Sequence, residues 1–249
     1  MQPRGPQSLA LPIAIVIGFS IIAVAIFLSN NNSTPTTTTQ SATAITPPTP
    51  EELATRLHEP IARITAADHI RGNPNAPIMF VVYTSFECPS CRSYHLSLQR
   101  LLQEYGPTGQ VAWTFRHLPL EENYLNAPLI AHAAECVAQE GGNTAFWNYA
   151  DAVFQARGVI EQTDLNQLPA LASTHGVSVD AFNACMQQQK FANHIRQNSE
   201  DAFRAGAIGI PYTVVFAGEE VGVINGPQPY NELRQVVEVA LRTLPNAQQ

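Results

Sequence analysis

Phe86-Glu87-Cys88-Pro89-Ser90-Cys91 follows a nearly continuous apolar run, Ile78-Met79-Phe80-Val81-Val82-Tyr83. Apolar residues that do not alternate with polar ones are expected of a central strand covered on both faces. Beyond the cysteines, Tyr94, Leu98, Leu101, Leu102 and Tyr105 recur at helical spacing, and Gly106-Pro107 stops the helix. Val111-Ala112-Trp113-Thr114-Phe115-Arg116 then reads as a second strand. Strand, helix and strand make a βαβ unit with the cysteine pair at the C-terminal edge of its first strand. Cys-x-x-Cys at the start of a helix is a specific signal for thiol–disulfide chemistry. Residues i and i+3 share a helix face, so the two sulfurs can meet.

A thiol reacts as its thiolate, so the chemistry depends on what lowers the thiol pKa. Cys88 is expected at or just before the first helical turn, with Pro89 at the position where a missing N–H costs nothing. Unpaired backbone N–H groups and the positive end of the helix dipole then favour an anion at Cys88. Cys91, one turn inside, is expected to be less accessible. The asymmetry makes Cys88 the nucleophile and Cys91 the residue that resolves a mixed disulfide. The alternatives are half a zinc site or an inert bridge. Zinc needs further ligands, and neither a second Cys-x-x-Cys nor a paired His motif is present, so no metal is expected. No cofactor is expected either. Glu87 reads as a solvated residue rather than a proton shuttle, and His95, one turn beyond Cys91 and so placed to tune it, reads as a surface histidine.

Outward from this unit, the N-terminal part is not globular. Leu9 to Leu28 is an uncharged run of about twenty residues, long enough to cross a bilayer. Arg4 precedes it, and no Lys or Arg follows until Arg56, which places residues 1–8 in the cytoplasm and the bulk of the chain outside. A cleavable signal peptide, with Ala23-Val24-Ala25 as its small-residue site, is the rival reading, and it sends the domain to the same side. Residues 29–50, rich in Asn, Thr, Ser and Pro, lack the apolar residues that offset the entropy of ordering and read as a disordered tether. The globular domain is expected over 51–249. The net charge of −7 belongs to it, because every acidic residue lies from Glu51 onward, and this argues against nucleic-acid binding.

Within the domain, Ile61-Ala62-Arg63-Ile64 reads as a first edge strand and Arg71-Gly72-Asn73-Pro74-Asn75-Ala76-Pro77 as a turn cluster. Residues 121–206 or thereabouts are helical. Leu125 to Gln139 is closed by Gly141-Gly142, and a second stripe carries Phe146, Trp147, Ala150, Val153 and Phe154. Thr163 and Ser178 are candidate N-caps for two further helices, the latter continuing with a break toward Gly206. Tyr212–Phe216 and Val221–Ile224 form a hairpin, and an amphipathic helix carries Leu233, Val237 and Leu244. Cys136 and Cys185 lie on different predicted helices. An oxidising compartment and an even cysteine count favour a structural disulfide between them, with two buried free thiols as the alternative.

Four stretches together carry a resemblance: Gly72-Asn73-Pro74-Asn75-Ala76-Pro77, Phe86-Glu87-Cys88-Pro89-Ser90-Cys91, Arg116-His117-Leu118-Pro119-Leu120 and Gly209-Ile210-Pro211. They frame most of residues 60 to 245, and there the chain resembles the DsbA-like branch of the thioredoxin superfamily, bacterial extracytoplasmic disulfide oxidoreductases. The resemblance implies an α/β thioredoxin fold with a helical insertion, here preceded by one transmembrane helix. It also implies a cis bond before Pro211, beside the cysteine pair, with the Ile210 backbone pairing with an extended client. Phe86, Pro89 and Ser90 become the neighbours of the reactive sulfurs. Two positions depart from the pattern. Ser90 stands where the family's strong oxidant has a His, and Val82 stands where thioredoxins carry a buried acid. The expected activity is donation of the Cys88–Cys91 disulfide to extracytoplasmic proteins, with recharging by a membrane redox partner. A reductase or isomerase on the same fold, or a binding module whose cysteine pair is structural, are the alternatives.

Overall fold

The computed structural model describes residues 63–156 and 164–244. The apolar run at 9–28, the tether at 29–50 and the Thr163 cap lie outside the described residues. No helix among the described residues is long and apolar enough to cross a membrane.

Five strands form one mixed sheet in the order β1-β3-β2-β4-β5: β1 (His69–Gly72), β2 (Ile78–Thr84), β3 (Val111–His117), β4 (Tyr212–Ala217) and β5 (Glu220–Asn225). β2 and β3 run parallel, with α1 (Pro89–Tyr105) as their crossover, and every other pairing is antiparallel. The apolar run of β2 divides by the two-residue period of a strand. Ile78, Phe80 and Val82 enter the larger core with Trp113 and Phe115, while Met79, Val81 and Tyr83 enter the smaller one with Tyr212 and Val214. Both faces of β2 are therefore covered, which is why all seven of its residues are buried.

The insertion comprises α2 (Ala127–Ala156), a short 3₁₀ turn at Leu165–Gln167, α3 (Leu168–Thr174), α4 (Val179–Gln188) and α5 (Ala192–Arg204). α2 is two helices meeting at Gly142, whose φ of 71° only glycine adopts readily. Phe146, Trp147, Val153, Phe154 and Phe182 join the larger core, so insertion and sheet share one apolar interior. Ser178 caps α4 by accepting the Ala181 N–H, and left-handed Gln189 breaks the chain before α5. Asp164 caps the 3₁₀ turn, its side chain accepting the Asn166 N–H. Cys136 of α2 and Cys185 of α4 are joined across 49 residues. Closing a loop of that length removes unfolded-chain entropy worth about 4 kcal/mol. The last helix, α6 (Tyr230–Thr243), packs against α1.

The first strand is a correction. Arg63 and Ile64 carry no strand, and β1 occupies His69–Gly72, running into the residues read as a turn. The strand exists because β3 supplies its partners, from His69 opposite Phe115 to Gly72 opposite Ala112. Gly72 ends it with φ of 103°, where a Cβ would stand 2.9 Å from the Val111 carbonyl oxygen.

Beneath β1 a buried ion cluster ties the layers together. Arg116 forks onto Asp68 through Nε (2.7 Å) and Nη2 (2.9 Å), reaches Asp201 through Nη1, and donates to the Arg63 carbonyl (2.6 Å). The Tyr83 hydroxyl donates to Asp201 at 2.5 Å. Burial alone would raise the Asp68 pKa, but Arg116 outweighs it and holds the carboxyl below its usual range.

Candidate active site

β2 delivers the chain to Cys88, which is the N-cap of α1 with φ −87° and ψ 117°. Pro89 takes the first helical position. The Cys88 Sγ accepts the Cys91 N–H at 3.1 Å and lies 3.1 Å from Ser90 Oγ. The two cysteines are joined, with Cα atoms 5.1 Å apart. Phe86 shares their core cluster, its ring 4.8 Å from that of Phe115 and 5.2 Å from that of Phe154. Pro89 is exposed, Ser90 half-buried.

Cys88 and Cys91 are each 1% exposed, so the expected difference in accessibility is absent. What distinguishes the sulfurs is hydrogen bonding. Cys88 is the sulfur that holds the helix-start N–H and faces the serine hydroxyl, and donors to a charged form lower its pKa. Ser90→Ala is expected to raise the pKa of the reduced Cys88 thiol by about one unit, since a hydrogen bond to a charged group contributes about 1.5 kcal/mol or more. Titration of the thiolate's ultraviolet absorbance measures this, and an unchanged titration would show that the hydroxyl does not reach the anion.

The peptide bond between Ile210 and Pro211 is cis. β2 and β4 pair with Tyr83 opposite Tyr212, and continuing that register places Pro211 opposite Thr84 and Ile210 opposite Ser85. Ile210 packs against the core cluster that contains both cysteines. The cysteine pair and the cis-proline turn are thus brought to one end of adjacent strands. β4 is held beside α1 by a 3.0 Å bond between the Tyr94 and Thr213 hydroxyls.

Two residues read as solvated are buried. Glu87 is 5% exposed, and its Oε2 accepts the Asn126 N–H at 3.0 Å, at the start of α2. His95 is 5% exposed, and its Nε2 meets Asp151 Oδ1 at 2.7 Å. Arg71 grips the same carboxylate from β1 at 2.9 and 2.5 Å. Burial raises the Asp151 pKa, but His95 and Arg71 outweigh it and bring it to about 2. For His95, burial lowers the pKa and Asp151 offsets this only in part.

The histidine spacing gave no sign of a second cluster. Glu135 of α2, 4% exposed, lies 3.1 Å from His69 Nε2, 2.8 Å from His117 Nε2 and 3.8 Å from His194 Nε2. Burial alone would raise its pKa, but the His117 and His69 imidazoles outweigh it and hold the carboxyl far below the usual range. His132 lies near the Cys136 and Cys185 sulfurs, with all three potential ligand atoms within 4.8 Å of one another. The sulfurs are bonded to each other and so present no thiolate to a metal.

The arrangement can exchange disulfides, having a cysteine pair at a helix start with donors on one sulfur. Residues 65–239 match the thioredoxin family model. The Na(+)/H(+) antiporter NhaA 3 of Salinispora tropica is 31% identical over 144 residues, 58% of this chain and 21% of that protein. The chain thus spans about a fifth of the length of such curated relatives. Wolbachia pipientis alpha-DsbA1 superposes with a TM-score of 0.62 at 22% identity, over 71% of this chain and 92% of that one. Oxidised BdbD from Bacillus subtilis gives 0.62 at 20% identity, over 70% and 93%. The chain belongs to the thioredoxin family and has the DsbA-like form of its fold, with a helical insertion between β3 and β4.

Proposed function

We propose that this protein is a membrane-anchored, extracytoplasmic thiol–disulfide oxidoreductase that donates the Cys88–Cys91 disulfide to secreted or surface proteins. The observation that carries the reading is the placing of Cys88 at the N-cap of α1, with the Cys91 N–H and Ser90 hydroxyl on its sulfur. A well-stabilised thiolate favours the reduced pair and so makes the disulfide a better oxidant. Cys88 is the sulfur that a client attacks, and Cys91 leaves and later resolves. The Ile210 backbone beside cis Pro211 offers main-chain groups to an extended client, a mode that selects unfolded segments rather than one sequence. Exposed Ile208, two residues earlier, adds apolar surface for such a segment.

The compartment rests on the uncharged run at 9–28, on the absence of Lys and Arg from there to Arg56, and on the joined Cys136–Cys185 pair, which suits an oxidising environment. In this reading residues 1–8 are cytoplasmic, 29–50 are the tether, and a membrane redox partner reoxidises the pair. Mixing the oxidised protein with a reduced, unfolded protein that carries a cysteine pair is expected to transfer one disulfide per active site, counted by mass after alkylation. Absence of transfer, with Cys88–Cys91 left intact, would contradict the proposal.

A further inference from the structure

A small cavity lies between the sheet and α1, walled by Val82 and Thr84 of β2, Trp113 of β3, and Cys91, Tyr94 and His95 of α1. It offers about 10 Å³ to the centre of a water, enough for one molecule. Cys91 must lose a proton whenever it attacks Cys88 in a mixed disulfide. A thiolate formed in so buried a place without a proton acceptor is costly. The titratable side chains that share the cavity with Cys91 are Tyr94 and His95. The Tyr94 hydroxyl is bonded to Thr213, and burial pushes its pKa up. The sheet side contributes Val82, Thr84, Trp113, Thr114 and Phe115, none of which titrates. That leaves His95, which is one turn from Cys91 on the same helix face.

Its hydrogen bonding fixes the tautomer. Asp151 is ionised and can only accept, so His95 Nε2 carries the proton that faces it at 2.7 Å. Burial disfavours the imidazolium, so the resting ring is neutral and Nδ1 is its basic nitrogen. Arg71 of β1 orients Asp151 with two hydrogen bonds. The other faces of the ring meet Trp113, Trp147 and Phe154, which do not titrate.

We propose that His95 Nδ1 is the proton relay of Cys91, reached directly or through one water in this cavity, with Asp151 and Arg71 as positioning residues. The inference rests on the redox reading given above. With Cys88 in a mixed disulfide, the Cys91 S–H proton passes to His95 and the sulfur's electron pair forms the bond to Cys88. The bond from Cys88 to the client's sulfur breaks, and its pair leaves as the client's thiolate. One disulfide replaces another, so no outside oxidant or reductant is consumed. In the reverse direction His95, protonated from solvent, returns the proton to Cys91 as a client opens the pair.

The test follows the reduced full-length protein reacting with a symmetrical chromogenic aromatic disulfide in stopped flow, from about pH 5 to about pH 9. Attack by Cys88 releases the first coloured thiolate, and displacement by Cys91 releases the second. The second phase of the unaltered protein is expected to show an inflection from an imidazole titrating below the usual histidine range. His95→Gln should slow that phase about a hundredfold near neutrality and remove the inflection, leaving the thiol's own titration. The first phase reports folding. If the unaltered protein releases no second thiolate, the redox-pair reading itself fails. Two phases with a second phase unchanged by His95→Gln in rate and pH dependence would overturn the relay alone. If His95→Gln also loses the first phase, Asp151→Asn decides: a second phase about tenfold slower supports the relay, and an unaltered one overturns it.

Discussion

Replacing Cys91 by Ala is expected to convert a transient mixed disulfide into a stable adduct between Cys88 and its clients. In the native protein Cys91 is held against Cys88, with Cα atoms 5.1 Å apart, and competes for the Cys88 sulfur without having to diffuse to it. Well-oriented groups of this kind reach effective molarities of about 10⁵ M, far above any thiol in solution. Removing Cys91 should therefore lengthen the life of the adduct at least about a thousandfold at millimolar external thiol. Non-reducing electrophoresis followed by mass mapping of the adducts measures this, and the linkage should fall on Cys88. Cys88→Ala should give no adducts. Trapping through Cys91, or an equal yield from both variants, would reverse or abolish the roles assigned to the two sulfurs.

Arg116→Met is expected to cost about 3–5 kcal/mol of folding stability, because it strands a buried carboxylate. Asp68 receives two hydrogen bonds from Arg116 and is 5% exposed in its side chain. The same guanidinium bridges to Asp201 and to the Arg63 carbonyl. Methionine fills the volume but supplies neither charge nor donors. Urea denaturation at neutral pH measures the loss as a lower midpoint with an unchanged slope. Arg116→Met with Asp68→Asn should recover part of it, because an amide strands no charge. A single variant within 1 kcal/mol of the native protein would show that Asp68 is solvated.

Much of this fold was legible because its signals are local. The unbroken apolar run of β2, the Pro89 helix start and the period of α1 each report on a few neighbouring residues. The sheet bears them out, as do the Ser178 cap and the break at Gln189. The misses share one cause, which is that their deciding partners are far along the chain. Glu87 is buried because the Asn126 N–H, 39 residues away, meets it, and His95 because Asp151, 56 residues away, does. Glu135 draws on histidines 66 residues before it and 18 residues before it. β1 is a strand only through β3, and its four residues adjoin turn-forming Asn and Pro. A carboxylate or imidazole taken alone reads as surface, and the insertion folding onto the sheet is what supplies its partner. The equal burial of the two cysteines was hidden for the same reason: both belong to the core cluster that α2 completes with Phe146, Trp147 and Phe154.

The central claim concerns the direction in which electrons move through Cys88 and Cys91. Ser90 offers one hydroxyl where an oxidant of this fold can carry an imidazole, so the poise rests on the N-cap, the Cys91 N–H and that hydroxyl acting together. The most direct measurement is the reduction potential of the pair, from equilibration with glutathione buffers and quantification of the two forms by alkylation. Donation of disulfides predicts a potential above about −200 mV, in the range of oxidising and isomerising members. A value near −270 mV, that of a cytosolic thioredoxin, would contradict it.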